Sequence, residues 1–465
     1  MSEPIMFDPL VSGRAVADRP AGFEAAALDR ELTWLSELID ASLSLYFSRP
    51  CQVQAVGEIA PPALDGDPSA YAQTVREHGL SPEERTILAL ALAPHLRPQA
   101  LDPFLIRNAS LDRGFTEFGG ASAGPQEGFR PTLETAAFIL AGTELSRRLQ
   151  LLQWFTPGHF FHDRKVFQPE ERSSGRGRFS TALTLSEEVL SVLTTGERFR
   201  PGYTPGFPAQ RLTTDLDWSD LVLPSWVMEE VEEIKAWVEH RHALLHDWEL
   251  KRHIKPGFRS LFYGPPGTGK TFTASLLGKS TGLDVYRVDL SLVVSKYIGE
   301  TEKNLAGVFD QAERNDWILF FDEADALFGK RTRTSSAHDR YANQEVAYLL
   351  QRVEDSPGVV ILSSNLKGNI DEAFARRFQS MIYFPLPGPA ERERLWRGTF
   401  SHPERLDEDV DLASIAEQFE ISGGSIVNVL RSASLLTLRS GRSRIQFQDI
   451  RHGIRREFRK DGKAV

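Results

Sequence analysis

The chain has 465 residues, 41% of them hydrophobic and 25% charged, so it is too long for one growing core and too ordinary in composition for global disorder; two or three domains are expected. Lys and Arg number 54 against 64 Asp and Glu, a formal net charge of -10 that disfavours nonspecific attraction to nucleic acid or anionic lipid as the main business of the chain. The single cysteine, Cys51, excludes an intramolecular disulfide and fits a reducing, cytoplasmic setting. The acidic start (Glu3, Asp8, Asp18, Glu24) is unlike a secretory signal, and no apolar run approaches the ~20 residues that span a bilayer.

In chain order, Leu28, Leu32, Leu35, Ile39, Leu43 and Tyr46 recur at helical spacing and predict an amphipathic helix from Phe23 to Phe47. Ser81-Pro82-Glu83-Glu84 opens a second helix to Ala93, and a third is expected from Thr132 to Leu152. Between these, Phe115 to Pro131 holds Gly119, Gly120, Gly124 and Gly128 and reads as loop; it lacks the Gly-Lys-Ser/Thr ending of a phosphate loop. His159 and His162 have no further ligands at zinc-site spacing and are expected to be packing or surface residues. There is no H-E-x-x-H motif.

Pro169 to Arg178 and Arg198 to Pro208 are the linker-like stretches, and the second places a domain boundary near residue 205. Beyond Leu212, short β-type runs (Ser260–Tyr263, Asp284–Leu290, Trp317–Phe321, Gly358–Ser363, Met381–Phe384) alternate with helical ones. That alternation implies an α/β domain with a parallel sheet sandwiched between helices. From Pro389 to about Lys460 the chain is helical and rich in Arg and Glu. The organisation expected is therefore a mainly α N-terminal domain (1–205), an α/β domain (206–388) that the motifs described next make nucleotide-binding, and a small all-α lid (389–465).

Gly264-Pro265-Pro266-Gly267-Thr268-Gly269-Lys270-Thr271 fits the P-loop pattern and lies between a strand and a helix opening at Phe272, where that motif must lie. Glycines let backbone amides close around phosphate oxygens, and the helix N-terminus adds its positive end. Lys270 is expected on the β and γ phosphates of ATP and Thr271 on Mg2+. Ile318 to Phe321 delivers two acids beside this loop, Asp322 for the magnesium shell and Glu323 as base for the attacking water. Val359 to Ser364 is a buried strand ending at Asn365, either a turn residue or one that orients water near the γ phosphate. Arg376 and Arg377 precede the last strand, either as surface ion pairs or as arginines offered to a neighbouring subunit's γ phosphate.

These elements, in this order, resemble the AAA clade of AAA+ ATPases over about Leu212 to Arg459, together with Ile421-Ser422-Gly423-Gly424 at the start of a lid helix. The resemblance implies a P-loop NTPase core with a five-stranded parallel sheet and a hexameric ring with nucleotide sites at subunit interfaces. It also implies a pore loop at Lys296, Tyr297, Ile298 and Gly299 that grips a protein substrate, a role favoured over the alternative of a packed aromatic at Tyr297. Phe328 to Arg331, His338 to Asn343 and the stretch from Gly128 to Gly142 are similar to the ATPases encoded with phage-tail-like contractile injection systems, which makes a component of such a particle the expected partner.

Two other classes of function compete with an ATP-driven protein remodeller. A nucleic-acid motor would use Arg451, Arg455, Arg456, Arg459 and Lys460, but Glu457 and Asp461 interrupt these and the net charge is negative. A nucleotide-gated scaffold would not need the intact set of Lys270, Glu323, Asn365 and Arg377.

Overall fold

The computed structural model describes residues 22–110, 112–121, 128–168, 177–289, 300–325, 347–365, 375–400, 402–460 and 462. The chain divides into two compact units, Met1–Arg200 and Pro201–Val465. No helix among the described residues is long and apolar enough to cross a membrane.

The first unit is built on α1 (Phe23–Tyr46), α2 (Ala70–His78), α3 (Pro82–Leu96), α4 (Leu133–Ala141), α5 (Leu145–Gln153), α6 (Phe160–Asp163) and α7 (Glu187–Thr195), with a two-stranded ribbon of β1 (Arg107–Asn108) and β2 (Arg113–Gly114). α3 starts where the sequence indicates, because Ser81 and Glu84 form a reciprocal capping box ahead of Pro82. The single helix expected from Thr132 to Leu152 is instead two, α4 and α5, because Gly142 ends the first with a φ of 51°. One apolar core joins Leu35, Ile39, Tyr71, Leu88, Phe118 and Ala136.

Within that core, Glu31 is fully buried and pairs with Arg85 and with the Tyr71 hydroxyl at 3.1 Å. Burial raises its carboxyl above the usual range, against the pull of Arg85. His159 accepts the Phe161 N–H at Nδ1 (3.2 Å), which leaves Nε2 to donate to Glu84 at 2.8 Å. Its ring stacks near Trp154, so this histidine has a packing environment of its own.

The second unit carries a six-stranded sheet in the order β3-β5-β6-β7-β4-β8: β3 (Ala209–Leu212), β4 (Phe258–Tyr263), β5 (Val285–Asp289), β6 (Ile318–Asp322), β7 (Val359–Ser364) and β8 (Ser380–Tyr383). The last five are parallel, as the alternating pattern requires. β3 adds an antiparallel edge on β5, a sixth strand hidden in sequence by its four-residue length and its Gln210-Arg211 centre. Side-chain alternation splits the strands between two layers. Leu261, Val288, Leu319, Phe321, Val360 and Leu362 meet Leu305, Val308 and Phe309 of the helix Glu300–Asn315 and Leu349 and Val353 of residues 347–355. On the opposite face Phe262, Val285, Phe320 and Ile361 meet Val227, Val231 and Ile234 of α8 (Ser225–His242) and Leu276 and Leu277 of α9 (Lys270–Thr281).

Four helices follow, Pro389–Thr399, Leu412–Gln418, Gly423–Arg439 and Phe447–Lys460, around their own core of Trp396, Ile415, Ile426, Val429, Ile450 and Ile454. The strand order places β4 between β7 and β8: the crossover from β4 to β5 runs one way along the sheet, and those from β5 to β6 and from β6 to β7 run back toward β4. Ligands of open α/β sheets sit beyond the strand ends at such a switch point.

Candidate functional site

The loop after β4 makes a tight turn into α9, and its glycines are required by geometry. Gly264 has a φ of 146°, and a Cβ there would lie 2.2 Å from the Phe384 carbonyl oxygen. Gly267 has a φ of 74°, and a Cβ there would lie 2.6 Å from Ser422 Oγ. The loop also meets the helical region after the sheet: Gly424 N–H donates to the Gly267 carbonyl at 3.0 Å, which puts the expected Ser422-Gly423-Gly424 element against the P-loop.

Lys270, the first residue of α9, is 6% exposed and donates through Nζ to the carbonyls of Gly264 (2.8 Å) and Pro265 (2.9 Å). Burial lowers its pKa to about 8, opposed by the nearby carboxylates of Asp322 and Asp325. A buried ammonium held by loop carbonyls, under a turn with three positive-φ glycines (264, 267 and 269) and at a helix N-terminus, is the donor set of a polyphosphate site. Thr268 closes the turn by donating from its hydroxyl to the Pro265 carbonyl at 2.9 Å; Pro266 is exposed, and Phe272 packs, partly buried, against the core shared by α8 and α9. The Thr271 hydroxyl and the Asp322 carboxylate are hard oxygen donors of the kind Mg2+ takes beside a nucleotide.

β6 ends at Asp322, and the chain turns at once. Glu323 is exposed with a φ of 52°, a left-handed conformation that few non-glycine residues adopt. The turn is held by the Glu323 N–H donating to Asp322 Oδ1 (3.1 Å) and the Ala324 N–H donating to the Ser363 carbonyl on β7 (2.8 Å). Asp325, a residue the sequence motifs do not single out, then ties β6 to β7. It accepts the Ser364 hydroxyl and the Asn365 backbone N–H, the latter at 3.1 Å. Gly264 N–H in turn donates to the Ser364 carbonyl at 3.2 Å. One short network thus joins the ends of β4, β6 and β7 and brings Lys270, Asp322, Glu323 and Asn365 to one rim of the sheet. No sequence motif signals Asp325, because its partners Ser364 and Asn365 lie at the end of another strand.

Arg376 and Arg377 lie just before β8 and are exposed. Arg377 Nε is 2.7 Å from Glu354 Oε1 of the same chain, so its own-chain ion pair is formed. Glu354 also anchors the start of β4, its carbonyl accepting from Arg259 Nη1 at 2.8 Å. Arg287 on β5 pairs with Asp322 Oδ2 at 3.0 Å, a contact that no sequence motif indicates. The expected pore residues Lys296, Tyr297, Ile298 and Gly299, and the motifs Phe328 to Arg331 and His338 to Asn343, lie outside the described residues.

Strand order, loop and acid pair together define an α/β P-loop NTPase fold joined to a helical N-terminal region. More narrowly, residues 260–386 match the family described as ATPase family associated with various cellular activities (AAA), so the chain carries an AAA ATPase domain. It is similar to the A1 form of the katanin p60 ATPase-containing subunit of Strongylocentrotus purpuratus, 35% identical over 204 residues, 41% of this chain and 39% of the relative. It is also similar to the A-like 1 form of the katanin p60 ATPase-containing subunit of Homo sapiens, 34% identical over 203 residues, 41% of each chain. The chain thus spans about two fifths of the length of these curated relatives.

Proposed function

We propose that the chain hydrolyses ATP and uses the cycle to remodel or thread protein substrates. The observation that carries this reading is the convergence of Lys270, Asp322, Glu323 and Asn365 at one sheet rim, locked by Asp325. The P-loop backbone from Gly264 to Thr271, with Phe272, would hold the nucleotide. Thr271 and Asp322 would hold Mg2+, which when bound supplies charge neutralisation at the phosphates. Glu323, exposed on its left-handed turn, would take the proton of an attacking water, and Asn365 would orient that water.

Arg376 and Arg377 would act across the interface between neighbouring protomers in a hexameric ring. That role is supported by their exposure, and it requires Arg377 to leave Glu354. Tyr297 would face the protein substrate. The names of the relatives support the ATPase part of this reading. A contractile injection particle as the substrate rests on the short likeness at Gly128 to Gly142, Phe328 to Arg331 and His338 to Asn343 alone.

The test is a Glu323→Gln trap loaded with ATP and compared with Lys270→Ala in pull-downs from a native extract, with Tyr297→Ala assayed for ATPase and for remodelling of the captured protein. Protein retained by the trap and lost with Lys270→Ala, and a Tyr297→Ala chain that keeps ATPase but not remodelling, are the expected results. Equal capture by all variants contradicts the reading.

A further inference from the structure

Arg287 stands at the middle of β5, opposite Phe320 in the parallel register with β6. Its neighbours Tyr286 and Val288 are fully buried on one face of the sheet. Arg287 therefore projects to the other face, the one on which Asp322 follows two residues beyond Phe320. The side chain reaches along the strand ends and brings Nη2 to 3.0 Å from Asp322 Oδ2.

The other oxygen of that carboxylate, Oδ1, is taken by the Glu323 backbone N–H at 3.1 Å. Both oxygens of Asp322 are thus engaged inside the chain. The ion pair with Arg287 is a single contact rather than a fork, since Arg287 Nε is buried without a hydrogen-bond partner among the described residues. With its side chain 40% exposed, Arg287 has water beside it into which to withdraw.

We propose that Arg287 is a resident counter-ion for Asp322 when no divalent cation is bound, and that its withdrawal is required for cation loading, so that Arg287 sets the cation affinity of the site. The inference rests on the reading of Asp322 as a magnesium ligand. A guanidinium and a divalent cation on one carboxylate repel each other, and the Lys270 ammonium adds positive charge nearby. In the cation-free state the same guanidinium compensates a carboxylate that is 18% exposed and that would otherwise face the strand end with only one backbone donor. A site built this way stays ordered without the cation and resists weak occupancy by it.

The experiment titrates Mg2+ into the full chain with a fluorescent ATP analogue held near half-saturation, for the wild type, Arg287→Met, Arg287→Lys and Asp322→Asn, with nucleotide-free melting in chelator measured alongside. Arg287→Met is expected to lower the Mg2+ concentration at half-effect by about threefold to fivefold, the upper part of the range for losing one partly exposed ion pair, and to melt earlier in chelator. Arg287→Lys, which keeps the charge, is expected to stay within about twofold of the wild type. A Mg2+ midpoint in Arg287→Met that is unchanged or raised, while Asp322→Asn shifts it, overturns the inference and leaves the site reading standing. So does a loss of nucleotide affinity in Arg287→Met that is equal with and without Mg2+, because Arg287 would then be a phosphate contact. An Asp322→Asn chain with the wild-type Mg2+ midpoint overturns the reading of Asp322 and this inference with it.

Discussion

Replacing Asp325 by alanine removes the carboxylate that accepts the Ser364 hydroxyl and the Asn365 N–H, the only described side chain that ties the β6 turn to the end of β7 in this way. A hydrogen bond to a charged group contributes about 1.5–3 kcal/mol, and the Asn365 amide is exposed enough for water to replace part of its share. A loss of about 2–3 kcal/mol in holding the β7 end follows. If Asn365 must be held there to orient water, that cost falls on turnover and amounts to roughly 30- to 150-fold. ATP affinity should change by less than about threefold, because Lys270 and the loop amides do not depend on Asp325 for their hydrogen bonds. Asp325→Asn, which keeps one acceptor, should fall between. Nucleotide titration and phosphate release separate the two quantities. Turnover within about twofold of the wild type, or affinity and turnover falling together by the same factor, would refute the positioning argument.

Lys270 titrates near 8 when folded against its ordinary 10.5, so the folded state carries fewer protons between those values and stability from this group rises as pH increases through that window. Melting of the wild type relative to Lys270→Met should therefore improve from pH 8 toward 10, and parallel pH profiles would show that the lysine is not shifted. In the first unit, Arg85→Met leaves Glu31 buried without its cation and should destabilise by about 3–5 kcal/mol, with Glu31→Leu restoring part of the loss in the double variant; chemical denaturation decides it, and a loss under about 1 kcal/mol would contradict the pairing argument. Arg377→Ala and Glu323→Gln should each bind ATP and turn it over poorly, and mixing them under subunit exchange should recover activity at interfaces with one intact Glu323 and one intact Arg377. Mixed assemblies no more active than either variant would place Arg377 in its own chain, with Glu354, as its whole role.

The nucleotide loop was legible in sequence because glycine spacing, lysine and a flanking strand and helix answer one steric problem, which Gly264 and Gly267 show in their positive φ values. The parallel strands were legible for a similar reason: runs such as Val359 to Ser364 are buried on both faces and read as continuous apolar segments. β3 was not, since an edge strand of four residues with Gln210 and Arg211 carries no such run. The break at Gly142 is not visible in the sequence because apolar periodicity continues across it in Leu145, Leu149 and Leu152, and a single glycine within a helical pattern is ambiguous. Asp325 and Arg287 could not be read from motifs because each acts on a residue distant in sequence, Asp325 on Ser364 and Asn365, Arg287 on Asp322. Such partners become visible only when strand register is known.

If the rim of β4, β6 and β7 is a working ATPase site, phosphate release paired with ATP binding must separate the wild type, Lys270→Ala and Glu323→Gln. The expected results are steady phosphate release by the wild type, loss of tight ATP binding in Lys270→Ala, and ATP binding with release slower by roughly tenfold or more in Glu323→Gln. Wild-type release in Glu323→Gln, or unchanged ATP binding in Lys270→Ala, would contradict that reading of the rim.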